Sequence, residues 1–333
     1  MIKVALIGCG AMGLMHLHCY KALSKNVQVV AVADTDSKKT EEALKICNNN
    51  VTVYNDAMTM LDKESLDIVD ICLPTFLHTK FAVAAMEKGF NVFLEKPVCL
   101  TNDEADLLLE TQNKTGVKVQ VGHVVRFFKA YKWLKETADL GKYGKIKSAE
   151  FKRLSAYPAW SPMLMDYRRS GSVALDMHIH DADFIRYLLG EPDDVQVAVT
   201  RDNEGVIQHI FSTYKFDDTI VTAQGGWDFP QGFPFTAEFL VNFDKATVVL
   251  KDNMLTVYPD DAEPYSPELI SEWGVNVDIG ANVSYTGDYY DEIKFFIEEV
   301  IINNKPDIVS LADAISSTRL VWKEIEIAGG VKK

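Results

Sequence analysis

Along residues 1–124, short apolar runs alternate with stretches of helical periodicity, and this alternation constrains the fold more than any other feature. The runs at 3–8, 27–34, 51–54, 67–74, 91–97 and 118–124 read as strands. Helices are expected between them at 11–23, 37–47, around 57–61, at 80–88 and at 102–115. Nearly continuous apolar strands separated by amphipathic helices are the pattern of parallel βα units, hence of a doubly wound sheet with both faces covered.

From about residue 146 the pattern changes. The segments 146–155, 194–202, 206–216, 219–227, 235–243, 246–251 and 254–259 read as strands, several with polar–apolar alternation. Tight turn signals such as "FDDT", "FDKA" and "KDN" join them. That predicts an antiparallel meander with one buried face. A helix over 173–189 precedes most of it, stopped by Gly190 and Pro192. A long excursion over 260–284, a helix over 288–302 and a last helix over 311–328 complete the chain. The length of 333 residues suits two domains. The expected division is 1–122 and 123–333, with the last helix packing back on the first domain.

The stretch "GCGAMG", residues 8–13, fits Gly-x-Gly-x-x-Gly after a strand and before a helix, the context of a dinucleotide turn. Gly8 allows the tight turn, and Gly10 lets the backbone approach a pyrophosphate at the helix N-terminus. Ala11 and Met12 begin the helix, and Gly13 permits close packing on the sheet. Asp34 ends the second strand, where a carboxylate would hold the ribose 2′-hydroxyl and repel a 2′-phosphate. NAD is therefore expected over NADP. His16 and His18, in the helix that follows, are expected to pack or to face solvent.

Ligands in open α/β sheets sit beyond the C-terminal strand ends. Glu95 and Lys96 in "FLEKPV" leave one such end, either at the cofactor with Lys96 pointing at the nicotinamide or merely as surface charges that end the strand. Pro74, Thr75 and His78 in "LPTFLHTKFA" leave another and would line the cofactor groove, unless Thr75 and His78 only cap the next helix. Arg126 in "VGHVVRF" is expected at cofactor or substrate, or in an interdomain ion pair.

In "GSVALDMHIHDADF", residues 171–184, Asp176 and His180 stand four apart and share one helical face. Asp183 shares that side. His178 projects to the opposite flank, so the cluster lacks a third ligand and no metal is expected. Asp181 falls near the apolar stripe and needs a hydrogen-bond partner if buried. Trp160, Tyr167 and Tyr289 are candidate aromatic walls for a ring substrate, or simply packing residues.

The pieces "VALIGCGAMG", "VADTD", "LPTFLHTKFA", "FLEKPV", "GHVVRF", "GSVALDMHIHDADFIRYLLG" and "LADAISSTRLVWKEIEIAGG" span nearly the whole chain. In that order they resemble the glucose–fructose oxidoreductase / inositol dehydrogenase (Gfo/Idh/MocA) family of NAD(P)-dependent oxidoreductases. The resemblance implies a Rossmann domain followed by an α/β domain with a large, open, mostly antiparallel sheet. It implies that Lys96, Asp176 and His180 act together on a cyclitol, sugar or sugar derivative. It departs from the family at His178, where the pattern usually has glycine, and this makes His178 a further candidate for the substrate wall. Oxidising an alcohol removes a hydride, which the cofactor takes, and a proton, which a side chain must take. Histidine suits the second task because it titrates near neutrality. His180 is the expected base, Asp176 its support or a ligand to a neighbouring hydroxyl, and Lys96 the group that stabilises developing alkoxide. A non-catalytic NAD-binding regulator, and a sugar enzyme with a transient redox step on tightly bound NAD, are the other readings.

The formal net charge of −14 argues against nucleic acid or an anionic membrane as partner. Nothing approaches the apolar length of a membrane span, and the N-terminal apolar run is too short and glycine-broken for a signal peptide. The five scattered cysteines read as reduced thiols in a cytoplasmic protein. An open sheet with an apolar face predicts a homodimer or homotetramer.

Overall fold

The computed structural model describes residues 1–279 and 284–332. The chain divides into two compact units, one made of Met1–Phe127 with Ser271–Ile315 and the other of Phe128–Ile270 with Ser316–Lys333. The expected excursion over 260–284 includes 280–283, which lie outside the described residues.

The first unit is a six-stranded sheet in the order β3-β2-β1-β4-β5-β6, and every pairing in it is parallel. Its strands are β1 (Ile2–Ile7), β2 (Val27–Ala33), β3 (Thr52–Tyr54), β4 (Ile68–Ile71), β5 (Asn91–Leu94) and β6 (Val119–Val121). The helices between them are α1 (Ala11–Ala22), α2 (Ser37–Ile46), α3 (Ala57–Lys63), α4 (His78–Glu87) and α5 (Asn102–Thr115). The central strands are buried on both faces because helices cover both, which is why β4 reads as an unbroken apolar run apart from Asp70. Local signals set the helix starts. Asp36 accepts the Lys38 N–H, Asp56 the Thr59 N–H, and Thr101 with Glu104 forms a capping box.

The sequence-based division places 271–315 in the second domain, whereas these residues return to the first unit. The reason is the exposed edge of β6. The Val121 N–H donates to the Val309 carbonyl at 3.1 Å, and Gln120 pairs with Ser310, so the returning chain covers that edge. The segment also supplies α10 (Gly287–Lys294), which continues as a π-helical stretch over Phe295–Ile302. Of the last helix, α11 (Leu311–Ile327), only residues 311–315 count with the first unit.

The second unit holds a seven-stranded sheet in the order β13-β12-β11-β7-β10-β9-β8. The strands are β7 (Ile146–Ala156), β8 (Asp194–Arg201), β9 (Ile207–Phe216), β10 (Thr219–Phe229), β11 (Thr236–Phe243), β12 (Ala246–Lys251) and β13 (Met254–Pro259). All pairings are antiparallel except β7 with β10. The sheet is therefore mixed and not a plain meander. The chain leaves β7 through helices and re-enters at the far edge as β8, so β9 and β10 fold back until β10 meets β7. Phe151, Val221, Phe239, Val241 and Val257 form part of its buried face.

Helix α6 (Lys129–Asp139) was not expected from the sequence. It buries Ala130, Tyr131, Leu134 and Thr137, one stripe at helical spacing. Two single turns follow β7, α7 (Pro162–Met165) and α8 (Tyr167–Ser170). Then comes a π-turn over Ala174–His178 and helix α9 (Ile179–Leu189). Among the described residues, no helix is long and apolar enough to cross a membrane.

Candidate active site

The glycine turn between β1 and α1 has the geometry its spacing demands. Gly8 has φ +96°, and a Cβ there would lie 2.4 Å from the Cys72 carbonyl oxygen. A Cβ on Gly13 would lie 1.9 Å from the Gly8 carbonyl oxygen, so only glycine lets α1 seat against the turn. At Gly10 a Cβ would meet nothing within 4 Å. That open space lies at the N-terminus of α1, where no side chain caps the free N–H groups. A pyrophosphate fits there as an anion on a helix N-terminus.

Asp34 stands at the end of β2 beside this turn. One of its oxygens accepts the Cys9 N–H at 2.8 Å and the other the Asp36 N–H at 2.9 Å. The carboxylate is thus oriented by backbone, and each oxygen keeps a lone pair for a ribose hydroxyl.

Lys96 is partly exposed and follows β5 directly, with a cis peptide to Pro97. Its backbone N–H donates to the Glu95 carboxylate at 3.0 Å. Pro74 is partly exposed, whereas Thr75 is buried. His78 is fully buried, with ring nitrogens 2.9 Å from the Pro97 carbonyl oxygen and 2.7 Å from that of Leu73. Burial pushes it below its ordinary pKa. It thus ties two strand-end loops together and neither lines an open groove nor caps a helix.

Arg126 also departs from expectation. It is buried, pairs with Asp313 at 2.6 Å and donates to the Ile308 carbonyl, all within the first unit. Tyr289 belongs to the first unit as well, 8% exposed and with its ring centroid 6.4 Å from that of His16. It is a core residue, not a wall for substrate.

In the second unit, the backbone enters the Asp-x-x-x-His segment through left-handed residues at Gly171 (φ +77°) and Ser172 (φ +68°). The π-turn over Ala174–His178 follows immediately, a departure from α geometry that often marks functional positions. Within 171–180 only Asp176 and His180 are not fully buried. Asp176 and His180 are thus the part-exposed residues of an otherwise buried segment, with His180 Nδ1 itself buried.

The neighbours of this pair are structural. Asp181 is buried and takes two bonds from Arg153 of β7, at 2.9 and 3.0 Å. Asp183, also buried, accepts from the Ser317 hydroxyl at 2.7 Å. His178 is fully buried, with Nε2 2.9 Å from Glu324 Oε2, 3.2 Å from the Tyr214 hydroxyl and 3.3 Å from that of Ser212. The expected place in a substrate wall is therefore not where its ring goes. His178 packs on β10 at Gly225, where a Cβ would lie 2.7 Å from the histidine Cβ. The room that a glycine at 178 would leave in the helix is left here by Gly225 in the strand. Trp160 remains 56% exposed, and Tyr167 is partly exposed with the Arg168 guanidinium over its ring.

His16 differs from the sequence expectation that it packs or faces solvent. The structure places it at 0% exposure among Asp70, Cys72 and Glu95. Its partners come from different βα units, so no local spacing could announce them.

Residues 2–123 match the Gfo/Idh/MocA model, described as an oxidoreductase family with an NAD-binding Rossmann fold. Residues 131–249 match that family's C-terminal domain. The myo-inositol 2-dehydrogenase of Thermotoga maritima is 29% identical over 190 residues, 57% of this chain and 55% of that protein. The NAD(+)-dependent scyllo-inositol 2-dehydrogenase of Bacillus subtilis is 30% identical over 191 residues, 57% of this chain and 54% of that protein. The matches thus span just over half the length of these curated relatives. A crystal structure of myo-inositol 2-dehydrogenase from Lactobacillus plantarum superposes with a TM-score of 0.78 at 24% identity, covering 98% of this chain and 97% of that one. With both domain models matched in order and the fold shared along the chain, the protein belongs to the Gfo/Idh/MocA family of oxidoreductases.

Proposed function

We propose that this chain is an NAD-dependent dehydrogenase acting on a secondary alcohol of a cyclitol, sugar or sugar derivative. The observation that carries the reading is the partly exposed Asp176–His180 pair, in a chain that also holds an open glycine cradle and an oriented Asp34. Bound NAD supplies the hydride acceptor. His180 takes the hydroxyl proton, and Asp176 holds the imidazole or a neighbouring hydroxyl. The Lys96 ammonium donates to the substrate oxygen and stabilises the charge that develops there. Trp160 and Tyr167 offer aromatic faces to the C–H side of a ring. Reduction runs the same proton transfer backwards, with His180 as acid.

The test is NADH formation across inositol isomers, aldoses and nucleotide sugars, with NAD and NADP in parallel. Turnover with at least one polyol supports the reading. Retained cofactor without net NADH would point instead to a transient redox step, and absence of both binding and turnover would remove the proposal.

Asp34 makes a separate prediction. Asp34→Ser removes the carboxylate that repels a 2′-phosphate and leaves a weaker hydroxyl for the ribose. The ratio of kcat/KM for NAD over NADP should fall by about 10- to 100-fold, the effect of about one to two charge-assisted hydrogen bonds. An unchanged ratio would show that Asp34 serves only the Cys9 and Asp36 backbone.

We also assign the protein to a reducing compartment, the cytoplasm, on its five free thiols. A homodimer or homotetramer is expected because Phe211, Ile220, Leu240, Met254 and Tyr258 remain exposed on strands of the open sheet. Sedimentation at micromolar concentration that gives a monomer would reject it.

A further inference from the structure

In the first unit, four side chains form a buried tie that ends at the backbone of Lys96. Tyr20, one turn beyond His16 on α1, donates to Asp70 Oδ2 at 2.8 Å. The same carboxylate oxygen lies 2.9 Å from His16 Nδ1. The opposite ring nitrogen, Nε2, lies 3.2 Å from Glu95 Oε1. The second oxygen of Glu95 receives the Lys96 backbone N–H at 3.0 Å. Gly122 closes the remaining side, since a Cβ there would lie 3.2 Å from the Glu95 carboxyl carbon.

Nδ1 is within hydrogen-bond geometry of Asp70, whereas Nε2 meets Glu95 as an ion pair outside that geometry, and as imidazolium the ring attracts both carboxylates. Burial opposes that charge, but Asp70, together with Cys72 whose Sγ lies 3.3 Å from the same Nδ1, outweighs it and holds His16 well above its ordinary pKa. The other titratable neighbours do not compete for it. Burial, reinforced by Asp70, keeps the Cys72 thiol protonated, and burial with the nearby Glu95 raises the Glu292 carboxyl well above its usual range. Burial likewise raises Tyr289. His16, Asp70 and Cys72 also bring ligand atoms within 4.8 Å of one another. Asp70 Oδ2 already receives Tyr20 and faces His16 Nδ1, so two hydrogen bonds and the His16–Glu95 ion pair hold the group together.

We propose that His16 is a positioning residue, whose ring anchors Glu95 to Asp70 in the sheet core and so fixes the backbone that presents Lys96. The proposal rests on the reading of Lys96 as the group that acts on substrate. Side chains of α1 and β4 thereby set the aim of a lysine that follows β5.

The test combines amide hydrogen exchange on the cofactor-free protein with steady-state kinetics. In His16→Asn, exchange at residues 94–96 and 98 should quicken by about tenfold or more, a local opening that leaves the rest of the sheet protected. The kcat should fall by about 10- to 100-fold, with KM for NAD changed less than about threefold, because misplacement of a reacting group acts on the chemical step. Tyr20→Phe, which leaves the His16–Glu95 contact in place, should show a smaller change in both readouts. Where His16→Asn does not fold, Glu95→Gln cuts the same tie with one atom changed and carries the same comparison. Wild-type exchange at Lys96 together with wild-type kcat would overturn the proposal. Lys96→Met separates it from the reading beneath it. Fast exchange in His16→Asn with full turnover in Lys96→Met keeps the tie and sinks the catalytic lysine. The reverse pair of results sinks the tie alone.

Discussion

His180→Ala is expected to lower kcat by about 10²- to 10⁴-fold, the usual contribution of a positioned general base. Asp176 and His180 are the two residues of their segment that are not fully buried, while the π-turn holds the rest of that segment in the core. A base of this kind acts on the proton of the reacting hydroxyl, so its loss should fall on kcat and kcat/KM alike. Cofactor affinity should change less than about threefold, because the glycine turn and Asp34, the groups proposed to bind NAD, belong to the other unit. The pH profile adds a second readout. Oxidation by the native chain should speed up with rising pH as its general base loses its proton, and His180→Ala should lose that limb. Added imidazole should restore part of the rate if the missing group is a proton acceptor. Near-native turnover in both His180→Ala and Lys96→Met would remove the assignment. A large loss in Lys96→Met alone would shift the proton transfer to the lysine.

Particular residues show which parts of this protein could be read in advance. The first unit was legible because a parallel sheet buries whole strands, so β1, β2, β4 and β5 stand out as apolar runs. Its glycine turn was legible because sterics at Gly8 and Gly13 exclude every other residue. The i, i+4 relation of Asp176 and His180 survives the change from α to π geometry, since both keep those positions on neighbouring faces. What could not be read is set by contacts far apart in sequence. The parallel pairing of β7 with β10 depends on where the chain re-enters the sheet, which no strand encodes by itself. Residues 271–315 join the first unit because β6 is an edge in need of cover. Arg126, His78 and Tyr289 carry the same residue types as a cofactor or substrate site and serve the core instead. His16 is the converse, an apparent packing residue whose partners lie on other elements. His178 differs again. Its departure from glycine was visible, but the compensating Gly225 lies in a strand 47 residues later.

Asp181→Asn should cost the second unit about 3–5 kcal/mol, the range for removing one partner of a buried ion pair. Arg153 and Asp181 have side chains only 4% and 1% exposed. Their two hydrogen bonds join β7 to the helix that carries His180, and the Tyr131 hydroxyl lies 3.4 Å from Arg153 and 3.5 Å from Asp181. The amide in Asp181→Asn keeps the shape but withdraws the carboxylate charge that meets the buried guanidinium, which cannot shed its proton to escape. Replacing both partners by apolar residues has a different expected result. Arg153→Met with Asp181→Leu removes the desolvation cost together with the attraction, so the double variant should be more stable than Asp181→Asn by about 2 kcal/mol or more. Urea unfolding followed by tryptophan emission measures this, since four of the five tryptophans (Trp133, Trp160, Trp227 and Trp322) lie in the second unit. The double variant should nevertheless turn over more slowly than the native chain. An apolar pair fills the space without fixing the rotation of α9, and His180 adjoins residue 181 on that helix. A loss below about 1 kcal/mol in Asp181→Asn would mean that water reaches the pair and shares its charge, as at a surface ion pair.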